Sequence, residues 1–256
     1  YIDSVFGPED GKLKGYPGHE EIELALVKLH RATGNEKYLK LATFFVDARG
    51  HQDPHYYDVE AEKRGEKHSM HHHGPDFLHW QAHAPSREQT TAEGHAVRAC
   101  YLYAGMADVA GETGDAELFN ACKTIWNDIV TKKMYITGGV GPAHAGERFT
   151  FAYDLPNDSA YAETCAAISL VFFAHRMLQA DPDGEYADVM ERALYNGVIS
   201  GVSQDGRHFF YVNPLSSFPD QTDYMKWKNQ RQEWFDCSCC PTNISRLLAS
   251  FGEYVY

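Results

Sequence analysis

Apolar residues recur along most of this chain at the spacing of one face of an α-helix, which predicts a largely helical protein. Glycines or short turns interrupt the pattern at intervals, and each interruption separates the two helices of a pair. Three pairs and the first helix of a fourth are predicted. The first pair is 19–34 and 36–46, the second is 95–114 and 115–129, and the third runs from 163 to a turn at 181–184 and continues as 185–194. The first helix of the fourth pair is 243–251.

The two helices of a pair differ in polarity. In the second and third pairs the first helix is apolar nearly all round, which predicts burial on every side, whereas the second helix carries an apolar stripe. Repeated pairs of this kind predict an all-α fold, a barrel or toroid with an inner ring of helices inside an outer ring. The connectors at 51–90, 132–161 and 196–236 are long and carry strand-like pieces such as 208–212.

Reactive side chains lie where the first helix of each pair begins. These side chains are His19, His95, Glu163 with Cys165, and Cys239 with Cys240. In a toroid of helix pairs all inner helices begin at the same rim, so these groups are expected to converge on one mouth. A single histidine at a helix start is more often a cap or a core residue, but four such starts in succession favour a shared site.

One glutamate and three cysteines form a candidate zinc site. Glu163, Cys165, Cys239 and Cys240 supply a carboxylate and thiolates, which are ordinary zinc ligands, and four of them complete a tetrahedral shell. The spacing is not that of a zinc finger, so a closed structural site and a cluster of buried free thiols stay open as alternatives. Cys239 lies at a helix N-terminus, where the dipole lowers the pKa of a thiol, and it is therefore also a candidate nucleophile.

Two connector residues and one histidine cluster are further candidates. Glu147 ends the glycine-rich segment GGVGPAHAGE (residues 138–147) and is either a general acid/base or a solvated loop residue. Tyr211 is either a site residue or a half-buried aromatic of the strand-like piece. The segment HSMHHH (residues 68–73) is either a second metal site or, more simply, a polar loop.

Composition and charge limit the classes of molecule that this chain is expected to bind. The 256 residues carry a formal charge of −13, which argues against nucleic-acid binding as the main activity but does not oppose neutral sugars. No apolar run approaches the ~20 residues of a membrane-spanning helix, so no membrane partner is expected. Six cysteines are too few for a disulfide-stapled scaffold.

Four separated motifs resemble glycoside hydrolase family 127, whose best-known members are bacterial β-L-arabinofuranosidases. They are GYPGHEEIELAL (residues 15–26), GHAVR (94–98), AETC (162–165) and CSCCPTN (237–243). The resemblance implies an (α/α)6 barrel followed by β-sandwich domains. Residues 1–256 would then be a partial barrel catalytic domain, without the N-terminal part of the barrel and without the β-sandwiches.

The resemblance also implies roles for individual residues. It matches Cys239 to a cysteine nucleophile and Glu147 to the general acid/base. The zinc ligands would be Glu163, Cys165, Cys239 and Cys240, and the residues around the sugar would be His19, His95 and Tyr211. The implied reaction is zinc-dependent, retaining hydrolysis that releases terminal β-L-arabinofuranose from oligosaccharides or glycoconjugates such as glycopeptides.

Three alternatives to this reaction stay open. The first is hydrolysis of a related sugar. The second is a zinc-stabilised helical scaffold or sugar-binding module without catalysis, which needs no reactive thiol. The third is another α/α-barrel enzyme, such as a sugar epimerase or an unsaturated uronyl hydrolase, which would use neither zinc nor the Cys239–Cys240 pair.

Overall fold

The computed structural model describes residues 1–51, 54–66, 76–217 and 230–255. Nine α-helices are found in these ranges: α1 (Ile2–Val5), α2 (Ile22–Thr33), α3 (Glu36–Ala48), α4 (Tyr56–Lys63), α5 (Ala96–Thr113), α6 (Ala116–Asp128), α7 (Thr164–Ala180), α8 (Gly184–Ala193) and α9 (Cys239–Ala249). π-helical turns extend α6 and α8, at Ile129–Lys133 and Leu194–Val198. Short 3-10 helices lie at Ser86–Glu88, Ile199–Gly201 and Phe251–Tyr254. The predicted all-α class and the pairs α2–α3, α5–α6 and α7–α8 are thus confirmed.

The helix ends follow local chemistry. Gly34 and Gly114 end α2 and α5 in the left-handed conformation, with φ of 67° and 70°, as glycine permits. Helix α2 begins at Ile22, three residues later than predicted, because Pro17 and Gly18 favour a turn before it. Helix α9 begins earlier than predicted, at Cys239, because proline is tolerated in the first turn of a helix.

The connectors differ most from the prediction. Helix α4 lies inside the first connector, where only Tyr56, Tyr57 and Ala61 are buried and the apolar pattern is weak. The strand-like piece 208–212 forms no strand among the described residues. It makes single bridges, from Phe209 to Gln232 and from Val212 to Glu163, because its backbone serves the start of α7 instead. Residues 68–73 lie outside the described residues.

Helices α5 and α7 form the centre of the fold. Every residue of α5 from Ala96 to Ala110 is buried apart from Arg98, and every residue of α7 from Thr164 to Ala174 is buried. These two helices make the most extensive helix–helix contact in the described chain, whereas α6 and α8 bury one stripe each. The predicted inner and outer layers are therefore present.

The inner helices α2, α5 and α7 run in the same direction. Near their C-terminal ends, Asp108 of α5 accepts Arg31 of α2 and Arg176 of α7, each at 3.1 Å. Because the C-terminal ends meet, the N-terminal ends are left together at the opposite rim. Among the described helices, none combines the length and the hydropathy needed to cross a membrane.

Burial in the outer layer sets a first testable prediction. Ile125 of α6 is fully buried, whereas Ile136, in the following loop, is 81% exposed. Ile125→Ala leaves a cavity and should lower the free energy of unfolding by about 2–5 kcal/mol. The matched change Ile136→Ala should stay within about 0.5 kcal/mol of the wild type. Urea unfolding measures both, and equal losses would contradict this assignment of the core.

Candidate active site

A cavity of about 400 Å³ opens at the rim where the inner helices begin. Its lining includes the predicted residues His19, His95, Glu147, Glu163, Cys165, Tyr211 and Cys239. Cys240 is buried behind them, with its Sγ 3.4 Å from that of Cys165. The structure therefore brings every candidate site residue named from the sequence to one place, apart from the histidine cluster at 68–73.

Helix starts position three of these side chains. His95 is the N-cap of α5, and its Nδ1 accepts the backbone N–H of Arg98 at 3.4 Å. This bond leaves the ring proton on Nε2, which faces the carboxylate of Glu147. Glu163 is the N-cap of α7, and Cys239 is the first residue of α9. The backbone at these two helix starts therefore places both side chains at the rim.

Glu147 is held from both sides in an unusual backbone conformation. Its φ is 50°, in the left-handed region, directly after Gly146 at 76°. Such strain in a residue other than glycine is typical of functional sites. Its Oε2 accepts His95 Nε2 at 2.8 Å and its Oε1 accepts the Tyr161 hydroxyl at 2.7 Å. Burial raises the pKa of Glu147, but the interactions with His95 and the hydrogen bond from Tyr161 together bring the pKa below its usual value.

The thiols and Glu163 form a compact cluster. The Sγ of Cys240 lies 3.4 Å from that of Cys165 and 3.8 Å from that of Cys239. Glu163 Oε1 lies 3.7 Å from both Cys239 and Cys240. The other carboxylate oxygen of Glu163, Oε2, is buried and has no hydrogen-bond partner in the described ranges. One ligand atom from each of the four residues lies within 4.8 Å of the others, so the cluster could hold a metal ion.

The electrostatics of the cluster favour a single thiolate when no cation is present. Hydrogen bonds donated by Cys165 and Cys240 lower the pKa of Cys239 far below that of a free thiol. Burial raises the pKa of Glu163 and of Cys240, and hydrogen bonding to Cys239 raises that of Cys165. A bound cation would reverse these increases, because it stabilises every ionised ligand at once.

Tyr211 joins the thiol cluster to Glu147. Its hydroxyl lies 3.2 Å from Cys239 Sγ and 3.5 Å from Glu147 Oε1. The candidate nucleophile and the candidate acid/base therefore lie on either side of one phenol. Of the two interpretations that the sequence left open for Tyr211, the structure places its side chain in the site.

His19 offers a neutral acceptor to the cavity. Its Nδ1 lies 2.7 Å from the carbonyl oxygen of Glu20, so Nδ1 carries the ring proton and Nε2 is left as an acceptor. Burial, together with the Arg98 guanidinium, lowers the pKa of His19 to about 4. The ring is therefore uncharged at neutral pH.

The site also contains polar residues that the sequence patterns do not single out. Cys237 lies 3.3 Å from Cys239 Sγ, and Tyr161 donates to Glu147. Both lie two residues from a named site residue, and this proximity is a usable signal. Tyr101 and Asn243 also line the cavity, but the apolar pattern of α5 makes Tyr101 look like a core aromatic.

Comparisons with known proteins match this chain to one family over nearly its whole length. The family described as "Beta-L-arabinofuranosidase, GH127 catalytic domain" matches residues 1–253. A non-reducing end β-L-arabinofuranosidase of Bifidobacterium longum subsp. longum is 46% identical over 261 residues, covering 100% of this chain and 39% of the relative.

Solved structures give the same result. Ara127N-Se, a GH127 β-L-arabinofuranosidase from Geobacillus stearothermophilus T6, is 54% identical with a TM-score of 0.94, covering 100% of this chain and 40% of that one. A second GH127 β-arabinofuranosidase is 47% identical with a TM-score of 0.83, covering 100% and 36%. This chain thus spans about two fifths of the length of these relatives. Because the family match extends over nearly every residue, and the fold agrees with those solved structures, this chain belongs to the GH127 β-L-arabinofuranosidase catalytic-domain family.

Proposed function

We propose that the protein containing this chain hydrolyses terminal β-L-arabinofuranosides with retention of configuration, with Cys239 as nucleophile and Glu147 as general acid/base. The observation that carries the proposal is the Tyr211 hydroxyl, which lies within hydrogen-bonding reach of both reacting groups. A nucleophile and an acid/base that flank one small space are what double displacement at a sugar carbon requires.

The proposed substrate is an arabinofuranose-containing oligosaccharide or glycopeptide. The names of the family and of the matched relatives support the sugar. The cavity lining supports it as well, because histidine, tyrosine and carboxylate groups there can hydrogen-bond to sugar hydroxyls. The acidic chain has no electrostatic reason to repel a neutral sugar.

Zinc is the proposed cofactor, held by Glu163, Cys165, Cys239 and Cys240. Tetrahedral zinc with bonds of about 2.3 Å to sulfur places its sulfur ligands about 3.8 Å apart. The observed sulfur separations of 3.4 Å and 3.8 Å suit such a site. The soft thiol donors favour zinc over magnesium or calcium. Glu163 Oε2, which has no hydrogen-bond partner in the described ranges, is available to bind the ion. When bound, zinc would keep the thiols ionised and stabilise negative charge on sulfur.

In the first step, Cys239 Sγ attacks the anomeric carbon and a carbon–sulfur bond forms. The bond from that carbon to the leaving oxygen breaks, the oxygen keeps the electron pair, and Glu147 gives it a proton. Burial and the negative charge of Cys239 act to raise the pKa of Glu147, against the net lowering by His95 and Tyr161.

In the second step, Glu147 takes a proton from water, and the water oxygen attacks the same carbon. The carbon–sulfur bond breaks and its electron pair returns to Cys239. The hydrogen bonds from His95 and Tyr161 favour the carboxylate form of Glu147 that this step needs. Two inversions give net retention.

The nucleophile assignment is tested with the full-length protein and a panel of nitrophenyl furanosides and pyranosides. The wild type should prefer the β-L-arabinofuranoside. Cys239→Ser should lose turnover by more than about 10³-fold, because a hydroxyl in place of the thiolate is a far weaker nucleophile. Cys122→Ser, a change in the buried core of α6, controls for the loss of a thiol elsewhere.

Labelling separates catalysis from a purely structural thiol cluster. An arabinofuranose-like electrophile should attach to Cys239 and to no other cysteine, as read by peptide mass spectrometry. Label on Cys240 or on a carboxylate would refute the cysteine mechanism, as would near-normal turnover of Cys239→Ser. Preference for a different sugar would correct the substrate alone.

Replacement of Glu147 should affect substrates unequally. Glu147→Gln should slow release of poor leaving groups by about 10²–10⁴-fold, because these need the proton most. Good leaving groups should still depart, and the sugar should then accumulate on the enzyme because deglycosylation is slow. Steady-state rates and burst kinetics over a series of leaving groups give the measurement. A uniform loss over the whole series would assign Glu147 a structural role.

The metal assignment predicts about one zinc per chain in the full-length protein purified without chelator. Cys165→Ser should lower both the zinc content and the melting temperature, because a lost ligand weakens the site and the fold it supports. The control Cys122→Ser should keep its zinc. Elemental analysis and thermal unfolding measure both quantities, and a Cys165→Ser protein with full zinc and full activity would refute this ligand set.

A further inference from the structure

Part of the cavity wall is formed by residues that the proposed mechanism does not use. Tyr101 of α5, Asn243 and Arg246 of α9 and Glu21 at the start of α2 all line the cavity. The Tyr101 ring lies 5.9 Å from the ring of His19, measured between centroids. Tyr101 is only 3% exposed, so its hydroxyl depends on the protein or on a bound molecule for hydrogen-bond partners.

Arg246 determines which way the amide of Asn243 faces. Arg246 Nη2 donates to Asn243 Oδ1 at 2.6 Å, and an arginine can only donate, so the oxygen of the amide must face it. The amide nitrogen Nδ2 then faces Tyr101, to which it donates at 2.9 Å. Glu21 forms an ion pair with Arg246 on the other side and holds it in place.

The Tyr101 hydroxyl therefore receives two hydrogen bonds and has one left to give. Asn243 Nδ2 donates to it at 2.9 Å and Arg246 Nη2 donates at 2.6 Å, which uses both lone pairs of the oxygen. Burial raises the pKa of Tyr101 above its ordinary value, so the phenol keeps its proton. That proton has no acceptor in the part of the chain that the structure describes, and a buried donor without a partner is costly.

We propose that Tyr101 is a substrate-binding residue that donates this hydrogen bond to a hydroxyl oxygen of the bound sugar. The inference rests on the proposed function. The neighbouring Nε2 of His19 is an acceptor, so one sugar hydroxyl can accept from Tyr101 and donate to His19. A paired donor and acceptor of this kind recognises a hydroxyl and rejects a substrate that lacks it.

The first test uses Tyr101→Phe in the full-length protein. The variant should lose about tenfold in kcat/KM on the preferred arabinofuranoside, and it should bind L-arabinose about tenfold more weakly in calorimetry. The matched control is Tyr103→Phe, which removes a hydroxyl from a fully buried tyrosine two residues along α5. Tyr103 does not line the cavity, so kcat/KM and affinity should stay at the wild-type level.

Substrates that each lack one hydroxyl identify the contact. The wild type should lose about tenfold in kcat/KM on one monodeoxy substrate, and Tyr101→Phe should lose nothing further on that substrate. A Tyr101→Phe variant whose loss is the same on every deoxy substrate would overturn the proposal, because the hydroxyl would then act on the fold alone.

A second variant redirects the Tyr101 hydroxyl proton away from the sugar and keeps the hydroxyl itself. In Asn243→Asp a carboxylate oxygen replaces the amide donor, and it accepts from Tyr101 in place of the sugar. Asn243→Asp should therefore match Tyr101→Phe, and the double variant should be no worse than either. If the losses in kcat/KM of the two single variants added up in the double variant, the two substitutions would act independently. That result would refute the proposal that both disturb the same proton.

The result separates this inference from the proposed function. If the wild type neither hydrolyses β-L-arabinofuranosides nor binds L-arabinose, the proposed function fails and the inference fails with it. If the wild type does both, and Tyr101→Phe behaves like Tyr103→Phe, the inference alone is overturned.

Discussion

The packing of α5 against α7 is the constraint on which the candidate site depends. Both helices are apolar nearly all round, so each finds enough contact only when the other covers it. They run in the same direction, which brings His95 and Glu163, the caps of their first turns, to one rim. Glu147 then reaches His95 from the connector, and Cys239 reaches Glu163 from α9. A shift between the two helices would separate all four groups.

Two carboxylates in this cavity have opposite environments. Burial raises the pKa of Glu163, and the negative charges of Glu147 and Cys239 raise it further. Glu147 receives hydrogen bonds from His95 and Tyr161, and its pKa falls. When the environments of two carboxylates shift their pKa values in opposite directions, the two groups are suited to different chemical roles. This difference supports the proposed division between Glu147 as the proton-transfer group and Glu163 as a metal ligand.

Local patterns made much of the fold predictable. The inner helices were found because burial on every side makes their composition distinctive, and Gly34 and Gly114 marked the ends of α2 and α5. Helix α4 was missed because its weak apolar pattern hides the three residues it buries. The piece 208–212 was predicted to be strand-like because of its aromatic and β-branched residues, yet the described residues include no neighbouring strand with which it could form a ladder.

The sequence by itself determined the order of the helices and the chemical types at their starts, because helix periodicity and capping depend on residues only a few positions apart. It also supplied the donor set for a metal, since Glu163, Cys165, Cys239 and Cys240 stand at two such starts. Only the tertiary structure decided which hydrogen bonds these groups make. The Tyr161 hydroxyl donates to Glu147, 14 residues away, and the Tyr101 hydroxyl accepts from Arg246, 145 residues away. No local pattern records such a contact, because the packing of whole helices creates it.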